Sequence, residues 1–300
     1  MRSTPAVLTK ETTLISECLD RLAKERLSTR PLATYRLQFN SRFRFEDARR
    51  LAGYLHALGI SHVYSSPVLQ ACAGSSHGYD ITDHNRLNPE VGSYEDLEAM
   101  VRELKSYGMG LVLDFVPNHM GVGKGSNPWW QDVLANGRAS EFTAFFDLDW
   151  NPLKPELRNK LLLPVLSDQY GAELEAGTIR VVLHDADDGV RFQIVYRETT
   201  LPLDPQTIPM IFPSSARNSA AAPAPALGST DIHANSEPHG PELDEFRRLL
   251  DSLRSLPTHS ATDSEKVQQR RRSIPPVTTA LGNLIRSSPR IRQLAEKSVE

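Results

Sequence analysis

Between Ala33 and His119 the apolar residues switch back and forth between two spacings, and this constrains the fold more than anything else in the chain. Ala33 to Phe39 (ATYRLQF) alternates apolar and polar residues, the two-residue period of a strand. Phe45, Ala48, Leu51, Ala52, Leu55 and Leu58 then fall on one face of a helix that Gly59 stops. Ile60 to Tyr64 is a short apolar strand closed by Pro67. Ser93-Tyr94-Glu95-Asp96 has the form of a capping box, and Leu97, Met100, Val101, Leu104 and Tyr107 continue it as an amphipathic helix ending at Gly108. The run Met109-Gly110-Leu111-Val112-Leu113 reads as a third, buried strand. Strand-helix-strand-helix-strand with helices of ordinary length predicts a parallel α/β sheet. Right-handed crossovers leave an open doubly wound sheet or a closed barrel.

In either arrangement the third strand delivers Asp114-Phe115-Val116-Pro117-Asn118-His119 to its carboxyl end, where such sheets place their chemistry. The bland reading is a buried Asp and His that satisfy each other or the backbone. A second polar cluster, Ser76-His77-Gly78-Tyr79-Asp80-Ile81-Thr82-Asp83, lies in the polar loop from Gln70 to Gly92 that follows the second strand. Tyr79 offers a flat apolar face for a sugar ring, and Asp80 offers two acceptors for hydroxyls. The competing reading is a loop of Asx-type turns with Tyr79 as its packing anchor. Two polar clusters converging on one mouth favour a binding site.

Composition excludes several other classes. The chain has 300 residues, 24% charged, with a formal net charge of -3, which points to neither nucleic acid nor a membrane surface. Cys18 and Cys72 are the only cysteines and form no C-x-x-C pair, so a disulfide framework or structural zinc is not expected and a reducing, cytoplasmic setting fits. No run approaches the roughly 18 apolar residues of a membrane span, and residues 1–11 are too polar for a secretory signal.

The rhythm changes on either side of the α/β series. Leu14, Ile15, Cys18, Leu19, Leu22 and Ala23 predict a helical extension within residues 1–30, and the first β/α units span 31–120. An inserted subdomain is expected over 121–213, with a hairpin from Gly177 to Tyr196 turning around Asp187-Asp188-Gly189. Residues 214–241, rich in Ala, Pro and Ser, read as a flexible linker. Residues 242–300 read as a helical insertion, with Phe246, Leu249, Leu250 and Leu253 on one face and short helices from Val277 to Leu294 broken at Pro289. Gln268 to Arg272 is basic and reads as a solvated helix face.

The two clusters, together with Tyr35-Arg36-Leu37-Gln38-Phe39 and Asn88-Pro89-Glu90-Val91-Gly92, resemble the alpha-amylase superfamily of glycoside hydrolases. DFVPNH resembles its first conserved region. PLATYRLQFN, GISHVYSSPVLQACAGSSHGYDITDHNRLNPEVGSYEDL and NPWWQDVLANGRASEFTAFFDLDW resemble its trehalose-forming branch over roughly the first two hundred residues, and LRSLPTHSATD does so more loosely. The resemblance implies the first three strands of a (β/α)8 TIM-type barrel, incomplete here, with a β-containing insertion and a helical one. It implies an intramolecular transglucosylation on maltooligosaccharides or another glucan, with ordinary glycosidase hydrolysis and a non-catalytic glucan-binding homologue as rivals. Tyr79 matches the stacking aromatic beside the reacting bond, and His119 matches the histidine that holds that sugar's primary hydroxyl. Asp114 and Asn118 match the supporting polar pair, and Asp80 a substrate-proximal acid. No cofactor and no metal are expected. Asn118 helps hold calcium in many amylases, but no acidic cage accompanies it here.

Retaining glycoside chemistry uses two carboxyl groups about 5 Å apart. In the superfamily the nucleophile lies in a G-x-R-x-D pattern, which this chain lacks; Gly189-Val190-Arg191-Phe192-Gln193 mimics it with Gln in place of Asp, inside the expected hairpin. Glu198 is a loose alternative. The nucleophile and acid/base are therefore expected beyond residue 300, with the rest of the barrel. The expectation is the N-terminal part of a larger enzyme, inactive and aggregation-prone when expressed alone.

Overall fold

The structure is a computed structural model that describes residues 16–21, 30–123, 127–187, 189–213 and 240–300. These divide into two compact units, one ending at Gly121 and one beginning at Val122. Residues 16–21 are helical; the remainder of the expected N-terminal helix, and almost all of the expected linker, lie outside the described residues.

The first unit is built on three parallel strands, β1 (Thr34–Leu37), β2 (His62–Ser65) and β5 (Gly110–Leu113), in the order β1-β2-β5. Helices α1 (Phe45–Ala57) and α2 (Tyr94–Ser106) make the crossovers. The Ser93 hydroxyl accepts the Asp96 N–H (3.2 Å) and the Asp96 carboxylate accepts the Ser93 N–H (2.9 Å), the capping box its sequence announces. The register aligns Tyr35 with Val63 and Leu111, and Arg36 with Tyr64 and Val112. Alternation then sorts the faces. Val63, Leu37 and Leu111 join Phe45, Ala48, Ala52, Leu55, Met100 and Leu104 in the core against the helices. Arg36, Tyr64 and Val112 share the opposite face. There Gly110 leaves room for a neighbour: a Cβ on it would lie 2.4 Å from the His62 ring.

The sheet is not closed. Tyr35 on one edge strand is 44% exposed and Leu113 on the other 54%. The segment expected to be a polar loop holds an antiparallel ribbon, β3 (Leu69–Ala71) with β4 (Ile81–Leu87). The sequence hides it because β4 (ITDHNRL) carries mostly polar side chains and β3 has only three residues.

The second unit pairs the expected hairpin, β6 (Ile179–Ala186) and β7 (Gly189–Tyr196), with a third strand, β8 (Thr199–Pro202). Three shorter helices, α3 (Pro128–Asn136), α4 (Tyr170–Glu175) and α5 (Ile208–Ile211), precede α6 (Pro241–Arg254), α7 (Ser264–Ser287) and α8 (Pro289–Lys297). Phe192 and Phe212 share one core with Leu243, Phe246, Leu250, Leu281, Ile285 and Ile291, so the hairpin and the C-terminal helices pack as one body.

Two expectations change here. The break expected at Pro289 separates α7 from the short α8, but α7 is a 24-residue helix that begins at Ser264, well before Val277, and runs through Pro275 and Pro276. Both prolines are exposed, as are Arg271 and Arg272, whose carbonyls lose their helical donors, so solvent can take their place. Arg270, read as part of a solvated face, is fully buried. Its guanidinium donates to Asp204 Oδ1 (2.7 Å), Pro257 O (2.8 Å), Asn136 Oδ1 (3.2 Å) and Ala135 O (3.3 Å), which joins four separate segments.

Candidate functional site

The parallel register brings Gln38, Ser66 and Asp114 to one end of the sheet, each just past the last residue of its strand. The loop that carries Tyr79 is tied to this end. Gln38 Nε2 donates to His77 O (3.0 Å). Gly78 has φ +77°, and a Cβ there would come within 2.9 Å of Pro67 O, so the loop lies against the end of β2 only with glycine at this point.

Asp114 is the centre of the site. Its Oδ2 accepts from Tyr79 Oη (2.5 Å), Arg36 Nη1 (3.1 Å) and Tyr64 Oη (3.3 Å). Arg36 Nη2 also donates to Tyr79 Oη (2.8 Å), and its guanidinium lies 4.5 Å from the Tyr64 ring centre. The Asp114 side chain is 14% exposed and that of Arg36 34%, so the cluster is sheltered yet reachable. The Tyr79 hydroxyl, followed by Arg36 and Tyr64, holds the Asp114 carboxyl below the ordinary aspartate range. The same bond to Asp114, with burial, raises the Tyr79 phenol. At neutral pH Asp114 is therefore a held anion and Tyr79 a held phenol, and the Tyr79 ring is fixed from its hydroxyl end.

The remaining expected residues are placed as follows. Asp80 is half-buried and its Oδ1 accepts from Ser75 Oγ (2.5 Å), which engages one of its two oxygens. Asn118 and His119 are exposed and joined to each other, Asn118 Oδ1 to His119 Nδ1 (3.1 Å). His84 on β4 steadies their segment through Nε2 to Val116 O (3.0 Å) and an edge-on contact with Phe115. Tyr79 and Asp114 are thus brought together directly, while Asp80 and the Asn118–His119 pair bond to other partners. Among the described residues no group of His, Cys, Asp and Glu could hold a metal ion.

Arg36 and Tyr64 were not singled out as site residues from sequence. A signal existed for Arg36: a charged residue within an alternating strand lies on the face away from the helices. Nothing in the sequence distinguished Tyr64 from a core aromatic. The Gly189 to Gln193 pattern lies on β7, with Phe192 buried in the second unit's core, so it is part of the hairpin.

Comparison with known proteins supports the resemblance. Residues 49–171 match the alpha-amylase catalytic domain family. The chain is 43% identical over 157 residues to a protein of Mycobacterium tuberculosis named as a maltooligosyl trehalose synthase, covering 50% of this chain and 19% of that one. Over 117 residues it is 35% identical to alpha-amylase 2 of Dictyoglomus thermophilum, covering 36% and 20%. The solved maltooligosyltrehalose synthase of Arthrobacter ramosus aligns with a TM-score of 0.50 at 41% identity, covering 58% of this chain and 21% of that one. The chain spans about a fifth of the length of these relatives.

Proposed function

We propose that this chain supplies the sugar platform of a maltooligosyltrehalose synthase. The whole protein would turn the reducing-end α-1,4 bond of a maltooligosaccharide into an α,α-1,1 bond by intramolecular transglucosylation. The observation that carries this reading is the Tyr79 phenol clamped by Asp114 and Arg36 at the carboxyl end of the parallel sheet. Tyr79 and Asp114 both lie in the stretch that matches the alpha-amylase domain. The Mycobacterium and Arthrobacter relatives carry the synthase name.

In this reading the Tyr79 ring stacks beneath the sugar beside the reacting bond. Asn118 fixes the His119 ring through Nδ1, which leaves Nε2 for that sugar's primary hydroxyl. Asp80 keeps its second carboxylate oxygen for a neighbouring hydroxyl. Asp114 positions and does not react, because three donors already hold it as an anion. Double displacement needs a nucleophile and an acid/base about 5 Å apart. We place these outside the 300 residues, with the remaining barrel strands. The released glucose must turn and attack in a pocket closed to water. A cytoplasmic setting belongs to the same proposal.

The test is product analysis with maltopentaose on the full-length protein that carries this chain. Loss of reducing ends without matching release of glucose is expected, and Tyr79→Ala abolishes it. Glucose and maltose alone would assign the site to a hydrolase. The 300-residue chain by itself should bind maltopentaose without turnover; appreciable turnover would overturn the placement of the reacting carboxylates.

A further inference from the structure

The second unit contains a cavity of about 380 Å³ that the proposed reaction does not use. Its lining joins apolar residues, Val133 and Ile194 among them, to Trp150, Asn159, Lys160 and His259. Trp150 differs from the other tryptophans. Trp129 packs on Phe142 and Phe145, and Trp130 on Phe146. Trp150 is half-buried, yet among the described residues its ring meets no aromatic partner and its indole N–H donates no hydrogen bond. A large amphipathic side chain left in that state beside a cavity has both an apolar face and a donor to offer.

The polar groups around it are held from behind. Asn159 has φ +57°, a conformation asparagine tolerates better than most residues. It is fixed by its N–H to Trp150 O (3.0 Å) and by Arg138 Nη1 donating to its Oδ1 (3.2 Å), so its amide NH₂ is uncommitted. His259 Nδ1 is bonded to Asp204 Oδ2 (2.7 Å), and Asp204 is itself held by buried Arg270. That leaves Nε2 as the ring nitrogen without a partner. Lys160 is exposed and forms no ion pair among the described residues. These are a flat apolar surface, several outward donors and an acceptor, supported by a rigid second layer.

We propose that this cavity is a second saccharide-binding site, separate from the Tyr79 site, in which Trp150 stacks on a pyranose face and Asn159, Lys160 and His259 bond to its hydroxyls. A pyranose matches the lining because it too has an apolar C–H face and a polar edge. A small inorganic anion would leave the Trp150 face and the apolar lining unused. This inference does not depend on the trehalose-forming reading, since any glucan-active protein could use such a site.

The experiment is calorimetric titration of the 300-residue chain carrying Tyr79→Ala with maltoheptaose, alongside the unmodified chain. Binding is expected to persist in Tyr79→Ala. It should weaken at least tenfold when Trp150→Ala is added, and about threefold with Lys160→Ala, an exposed change that spares the fold. Trp150→Phe should retain part of the affinity. Loss of all binding with Tyr79→Ala alone would overturn the proposal, as would Tyr79→Ala affinity that neither Trp150→Ala nor Lys160→Ala changes. Inorganic phosphate that displaces maltoheptaose at millimolar concentration would reassign the cavity to an anion and overturn it equally.

Discussion

Each unit contains an arginine bonded to an aspartate, and the two pairs serve different ends. In the first unit Arg36 and Asp114 sit at a strand mouth, 34% and 14% exposed, and both bond to the hydroxyl of half-buried Tyr79. In the second, Arg270 is fully buried and spends its hydrogen bonds on Asp204, two backbone carbonyls and Asn136. A buried arginine whose partners come from separate segments, half of them backbone carbonyls, fastens a fold. An arginine whose partners are a carboxylate and a partly exposed phenol aims a side chain. The chemistry of the pair is the same; the partners and the access decide its role.

The comparison breaks most visibly at Arg270. Removing one partner of a buried pair leaves the other charge uncompensated and costs about 3–5 kcal/mol. Arg270→Ala is expected to lose about that much stability in urea or thermal unfolding, with loss of hydrogen-exchange protection in α6 and α7. Arg270→Lys should recover little, because one ammonium cannot reach four diverging acceptors. A loss under about 1 kcal/mol would show that Arg270 does not fasten the segments it touches.

That contrast also explains what the sequence reveals. The β/α series of the first unit is legible because each element has its own period and its own boundary signal, such as the stop at Gly59 and the start at the Ser93 cap. The pairing of Tyr79 with Asp114 is only half legible: both residues stand out, but their contact spans 35 residues and depends on the register and on Gln38 and Gly78. Arg270 is illegible, because a basic run looks solvated until distant Asp204 and Asn136 are placed around it. The ribbon β3–β4 and the strand β8 are missed for a simpler reason: short strands with polar or mixed composition carry almost no period of their own.

The next largest effect is expected at Arg36, whose loss removes two donors from the clamp while Tyr64 still bonds to Asp114. Hydrogen bonds to charged groups contribute about 1.5–3 kcal/mol, so Arg36→Ala should weaken maltooligosaccharide binding at the Tyr79 site by roughly ten- to a hundredfold. Tyr79→Phe keeps the ring and loses the anchor, and is expected to weaken binding about tenfold. Binding unchanged in both variants would mean that the clamp stabilises the loop without aiming the ring, which would erase the distinction from Arg270.

The smallest effect separates a buried structural carboxylate from the exposed site by pH. Glu173 on α4 is 5% exposed and accepts from Thr178 Oγ1 (2.6 Å), Ser167 Oγ (2.7 Å) and Tyr196 Oη (2.7 Å). These bonds, Thr178 foremost, lower its pKa from 4.5 to about 2. A carboxyl whose folded pKa lies below its unfolded one stabilises fully above the unfolded value and loses that contribution as pH falls through the folded one. The second unit should therefore hold its stability down to about pH 4.5 and lose this contribution between there and pH 2. Glu173→Gln should flatten that segment of the stability curve, because its neutral amide no longer exchanges a proton. Acid unfolding followed by the fluorescence of Trp129, Trp130 and Trp150 measures it. An unchanged slope in Glu173→Gln would assign the acid sensitivity of this unit elsewhere, Asp185 between Arg286 and Arg292 being the next carboxylate held low.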